Sequence, residues 1–194
     1  GIVGLGLGGM LGLLAAQDRQ LAPRISTVVA ITPVTDLVEL GRLATTGYTR
    51  IQAGYAKRAV PKELRASVID AIVATLPDDR ASRLLRQALA NAGNDPLDAL
   101  DQVPVELLDD DTAAVVRLLR NDDPRRYDTL YAALPLEIRS TVERLSPIEG
   151  AARLQAPVEI AASENDPYVP IAQARAMARA SQAVRVTVAD AFSA

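Results

Sequence analysis

The 194-residue sequence has no cysteine, no histidine and no tryptophan, and a single phenylalanine. Without cysteine there is no disulfide, no thiolate metal site and no cysteine nucleophile, and the redox compartment is left open. Without histidine the usual general base is missing. The 21 basic residues against 24 acidic ones give a net charge of -3, and no basic stripe interleaved with aromatics occurs. A nucleic-acid partner therefore has no electrostatic footprint. Long apolar runs are lacking too: "GIVGLGLGGMLGLLAA" is broken by glycines and gives way to "QDRQ" after Ala16. That is too short to span a bilayer, and it lacks the charged start of a signal peptide. The expectation is a soluble, cytoplasmic protein whose 49% hydrophobic content suits one full core, or a core with a helical appendage. Because the chain opens on Gly1 inside a strand-like run, it reads as part of a longer polypeptide, incomplete at both ends.

What is present is concentrated in that opening run. Gly4, Gly6 and Gly9 satisfy G-x-G-x-x-G between an apolar strand and an apolar helix, the fingerprint of a dinucleotide-binding unit. Gly4, Gly6 and Gly8 equally satisfy G-x-S-x-G, the nucleophile elbow, with glycine at the serine position. Both motifs make a sharp strand-to-helix turn, so the rest of the chain has to choose. A dinucleotide site needs an acidic residue about twenty positions on, at the end of the second strand, to hold the ribose hydroxyls. Here that region is "STVVAITP", with no carboxylate before Asp36, and Arg24 stands on the wrong side of the strand. An NAD(P)-binding oxidoreductase is thereby reduced to a second alternative.

The strand-helix-strand grammar sits at both ends of the chain. "GIV", the turn and a helix from about Gly8 to Gln17 are followed by the apolar run Val28 to Ile31, which suits a parallel strand buried on both faces. After "LSPIEGAARLQ" come "APVEIAA", "SENDPYVP", a helix from about Pro170 to Ser181, and "VRVTVADA", whose alternation predicts an edge strand. The segments 1–3, 26–32, 157–162 and 184–189 are expected to be neighbouring parallel strands. The block from 37 to 150 reads as all-helical, with Leu64, Val68, Ile72 and Leu76 drawing one stripe and Leu84, Leu85, Ala88 and Leu89 another. Pro61, Asp95-Pro96 and Asp123-Pro124 mark helix starts. The run Asp109, Asp110, Asp111 favours the positive end of a helix dipole over a metal site. No metal and no cofactor are expected.

In this order the elements resemble the second half of an α/β-hydrolase: the elbow "VGLGLGG", a helix, "VVAITPVTDL", a helical cap, then "LSPIEGAARLQAPVEIAASENDPYVP", a helix and "VRVTVADA". The resemblance implies an α/β fold of parallel strands flanked by helices, with core segments 1–36 and 151–194 and an all-helical cap over 37–150. It implies that Asp166 is the triad acid, that Gly6 occupies the nucleophile position without its serine, and that the Leu7 amide is an oxyanion donor. It further implies an ester, thioester or acyl hydrolase acting on a small hydrophobic ligand, admitted beneath an apolar lid that includes Tyr48, Tyr55, Tyr127 and Tyr131. Lacking serine at position 6 and histidine throughout, this chain is expected to be inactive. A non-catalytic binding protein of the same fold is the first alternative. Asp166 also has a plainer reading as the cap of the following helix, and Ser146 and Ser163 are the spare hydroxyls nearest the motif segments.

Overall fold

Short apolar segments separated by helices leave a chain few ways to bury its strands other than side by side and parallel. The computed structural model, which describes residues 1–90 and 96–189, adopts that arrangement. In chain order its strands are β1 (Ile2–Leu5), β2 (Val28–Ile31), β3 (Tyr48–Ile51), β4 (Gly54–Lys57), β5 (Val158–Ala162) and β6 (Val184–Val188). The first, second, fifth and sixth form a sheet in the order β1-β2-β5-β6, all parallel, with Leu5 opposite Ile31, Ile31 opposite Ala161 and Ala162 opposite Val188. The four segments expected to be neighbouring parallel strands are therefore neighbouring parallel strands.

The described chain forms two compact units, one built from Gly1–Leu40 and the chain from Val142 onward, the other from Gly41–Thr141. In the first, α1 (Leu7–Gln17), the 3-10 turn Pro147–Arg153 and α9 (Ile171–Ala180) share one core with alternate strand residues. Leu13, Val28, Ala30, Ile160 and Met177 are buried completely. Ile2 and Gly4 face α1, while strand alternation leaves Val3 and Leu5 exposed.

The second unit takes most of α2 (Leu37–Thr46), then β3 and β4, then α3 (Lys62–Ala74), α4 (Arg80–Ala90), α5 (Pro96–Asp101), α6 (Asp110–Leu119), α7 (Tyr127–Ala132) and the first part of α8 (Leu136–Arg144). Its core includes Leu43, Ile69, Leu85, Leu100, Leu118 and Leu119. It is not all-helical, which corrects the sequence reading. Tyr48–Ile51 and Gly54–Lys57 pair antiparallel around Gln52 and Ala53, with Gly54 at φ 120°. Four-residue strands with one buried position between them carry too little alternation to be read as strands.

Two smaller readings also change. The buried face of α3 is Ile69 and Val73, continued by Leu76 just beyond the helix, while Leu64, Val68 and Ile72 are half-buried. A strict four-residue spacing drifts roughly 40° around a helix at each step, so that stripe does not keep to one face and only its last member, Leu76, reaches the core. Asp123-Pro124 opens no helix: the Asp123 carboxylate accepts from the Arg125 amide at 3.0 Å in a turn, and α7 starts later, at Tyr127. Pro96 does begin α5; Asp95 lies outside the described residues.

Candidate functional site

Position 6 is held in a conformation that only glycine adopts without strain. Gly6 has φ 52° and ψ -117° and stands between β1 and α1, with its amide donating to the Ile31 carbonyl at 2.9 Å. This is the sharp strand-to-helix turn that both glycine motifs require. The neighbouring glycines have distinct jobs. A Cβ on Gly4 would lie 2.4 Å from the Gly8 backbone, so Gly4 is needed for the close approach of β1 to α1. A Cβ on Gly9 would press within 3.2 Å of Ala30 and Pro33. At Gly6 and at Gly8, by contrast, a Cβ would meet nothing within 4 Å. A side chain at position 6 would thus enter open space, and the restriction there is on the backbone alone.

The residue after the turn, Leu7, is the first of α1 and is exposed. Met10 is the first residue whose amide is accepted within the helix, by Gly6 at 3.0 Å, and no side chain caps this end. The amides of Leu7, Gly8 and Gly9 therefore stand at the positive end of the helix dipole.

Asp166 lies in the loop that leaves the carboxyl end of β5, on the same rim of the parallel sheet as Gly6. One strand, β2, separates the two, a lateral step of roughly 10 Å at ordinary strand spacing. Asp166 is buried, and its Oδ1 accepts from the amides of Tyr168 at 2.8 Å and Val169 at 2.9 Å. The carboxylate thus orders the turn before α9. That helix begins after Pro170 and has no side-chain cap, so Asp166 shapes the approach to the helix and does not cap its first turn.

Ser146 and Ser163 have structural work. Ser146 Oγ donates to the Val142 carbonyl at 2.8 Å and accepts from the Leu37 amide at 3.0 Å, tying α8 to the start of α2. Ser163 is fully buried and accepts from the Asn165 amide at 3.2 Å. Of the aspartate run, Asp109 caps α6, accepting from the Thr112 amide at 2.9 Å and the Thr112 hydroxyl at 2.8 Å. The Thr112 amide is the main reason the Asp109 carboxyl sits below the ordinary carboxylate value.

Three residues were not singled out in the sequence. Gln173 of α9 is buried; its Oε1 accepts from the amides of Thr35 at 2.9 Å and Asp36 at 3.1 Å, and its Nε2 donates to the Asp36 carbonyl at 3.1 Å. An amide side chain has no periodic signature, so only the contact reveals it. Thr32, one residue beyond β2, has φ 44°, the one positive φ at a non-glycine residue among those described. Arg42, in the second unit, is completely buried. Its guanidinium lies 4.6 Å from the Tyr127 ring centre and 5.6 Å from that of Tyr55, and it donates to Asp128 at 2.6 Å and to the Pro124 carbonyl at 2.9 Å. Arg50 reaches the other Asp128 oxygen at 2.8 Å. Burial raises the Asp128 carboxyl, but the Arg42 hydrogen bond and the charges of Arg42 and Arg50 outweigh it, and the group sits below its ordinary value. Tyr127 also stacks on Tyr131 at 6.3 Å.

An open depression of about 440 Å³ in the second unit is lined by Asp79, Arg80, Ala81, Leu84, Leu107 and Asp109. Asp79 and Asp109 both accept from helix-start amides, of Ser82 and Thr112, so this hollow lies between two capped helix ends. Among the described residues no helix is long and apolar enough to cross a membrane.

No family model matches the chain, and no curated protein matches it. Among solved structures it is similar to a meta-cleavage product hydrolase from Pseudomonas fluorescens IP01, at 17% identity and a TM-score of 0.39 over 96% of this chain and 54% of that one. It is similar to an enol-lactonase from Burkholderia xenovorans LB400, at 16% identity and a TM-score of 0.40 over 97% of this chain and 56% of the other. A monoacylglycerol lipase from Paleococcus ferrophilus aligns at 16% identity and a TM-score of 0.42, over 96% and 56%. The chain spans a little over half the length of these proteins. They are enzymes of the α/β-hydrolase fold, the fold that the sequence motifs resemble.

Proposed function

We propose that Gly1–Leu40 and the chain from Val142 onward are an α/β-hydrolase-type core whose catalytic rim carries the acid but neither the nucleophile nor the base. The observation that carries this reading is Gly6: a positive-φ turn from a parallel strand into a helix, with room for a side chain it lacks, on the rim that also holds buried Asp166. With serine at position 6 and an imidazole beside it, such a rim would attack an ester, thioester or acyl carbonyl. The residue at 166 would orient the imidazolium, and the Leu7 amide would stabilise the oxyanion. In this chain the rim is proposed to bind a small hydrophobic acyl or ester ligand without turning it over, with residues 37–150 as the cap.

Hydrolysis of 4-nitrophenyl butyrate tests the catalytic half of this reading. The chain and its Gly6→Ser variant are both expected to stay near the buffer rate, because a serine hydroxyl without a base is a weak nucleophile near neutral pH. Turnover by the unaltered chain would place a nucleophile elsewhere and overturn the assignment. Binding is tested with N-(4-nitrophenyl)butyramide, the stable amide counterpart: saturable shifts of the Leu7 and Gly8 amide resonances are expected. Their absence at millimolar probe would contradict a ligand site on this rim.

A further inference from the structure

Thr32 and Gly6 stand side by side at the rim, each one residue past the last paired positions of their strands, Ile31 and Leu5. Both have positive φ, 44° and 52°. For glycine that costs little, but for a β-branched residue it is strained and persists only where the surroundings impose it. Here they do. The Thr32 amide donates to the Ala161 carbonyl at 2.8 Å, the preceding carbonyl of Ile31 accepts from Gly6, and Pro33 follows, buried against Gly9. A glycine or asparagine would satisfy the same backbone without the strain. The Thr32 side chain is half-buried, and its hydroxyl makes no hydrogen bond to another described residue.

We propose that Thr32 is a ligand-binding residue of this rim, its hydroxyl hydrogen-bonding a polar oxygen of a small acyl ligand seated over Gly6. The inference rests on the reading of the rim as an acyl-ligand site and adds the residue that fixes the ligand's polar end. Three features coincide at position 32: an unfavourable backbone, a hydroxyl without a hydrogen bond to any other described residue, and a place between the strand ends that carry Gly6 and Asp166. A residue kept only for the turn would not need the hydroxyl.

The test titrates the chain and three variants with N-(4-nitrophenyl)butyramide, following the Leu7 and Gly8 amide resonances, and unfolds each protein in urea. Thr32→Val keeps the branched side chain and its strain but lacks the hydroxyl, and about a tenfold loss of affinity is expected. Thr32→Ser restores the hydroxyl and is expected to bind within about twofold of the parent. Thr32→Gly relieves the strain, so it should resist urea better while binding as weakly as Thr32→Val. If the parent binds and Thr32→Val binds equally well, the role of Thr32 is overturned while the ligand site stands. If the parent itself does not shift Leu7 or Gly8, the site reading fails and takes this inference with it. Thr32→Gly gaining stability with unchanged affinity would mark position 32 as a turn residue alone and also overturns the proposal.

Discussion

The amide of Gly6 donates to the carbonyl of Ile31 at 2.9 Å, so the turn that ends the first strand is tied to the end of the second. Position 6 therefore tolerates a side chain sterically but resists it conformationally. Gly6→Ala should leave the fold intact and cost about 1–2 kcal/mol, the strain of an L-residue at positive φ. Urea unfolding measures it; an unaltered midpoint would show that the turn relaxes, and an unfolded product would show that space was lacking.

The glycines on either side should respond oppositely. Gly4→Ala places a Cβ 2.4 Å from the backbone of Gly8, which neither strand nor helix can yield cheaply, and is expected to cost at least about 3 kcal/mol. Gly8→Ala meets nothing within 4 Å and lies inside α1, so it should be neutral or stabilise by up to about 1 kcal/mol. Equal effects in thermal melts would contradict this division of labour within the motif.

Gln173→Leu should destabilise the protein by about 2–4 kcal/mol, since it strips the acceptor from the buried amide of Thr35 and the part-buried amide of Asp36 while keeping the side-chain volume. Hydrogen exchange checks the location: those two amides should lose protection first. Uniform loss across the sheet would mean that Gln173 acts through packing instead.

The division between what could and could not be read from sequence follows the range of the interactions. Gly4, Gly6, Val28 to Ile31 and the segment before Asp166 announce themselves because a tight turn and a doubly buried strand each impose a local composition. The hairpin of Tyr48–Ile51 and Gly54–Lys57 was hidden by its shortness. Gln173, Arg42 and Thr32 were hidden for another reason. Their roles come from partners far away in the chain, or from a backbone angle that threonine does not advertise. Nothing in the sequence around Arg42 marks it for burial, yet Gly41 beside it leaves room for the Tyr127 hydroxyl, and that ring packs on the guanidinium.

Acid should weaken the 41–141 unit through Asp128 and Asp109, whose carboxyls both sit below the ordinary value in the folded protein. For a depressed carboxyl the stabilisation is complete above the unfolded value of about 3.9 and is lost as pH falls through the lower folded value. Melting temperature should therefore fall below about pH 4, and Asp128→Asn with Asp109→Asn should flatten that limb while lowering stability at pH 7. A limb of unchanged steepness in the double variant would assign the acid sensitivity to other groups.

The claim on which the account most depends is that position 6 is a nucleophile elbow without its nucleophile, and the absence of cysteine from the chain allows one clean measurement of it. Gly6→Cys introduces a single thiol into open space at the uncapped start of α1. A helix N-terminus stabilises the thiolate, so the rate of alkylation by iodoacetamide as a function of pH should give a pKa at least about one unit below the free value of 8.5. The same protein unfolded in urea should return to the free value. A folded-state pKa at or above 8.5, or a thiol that reacts only after unfolding, would contradict the elbow and with it the hydrolase-type rim.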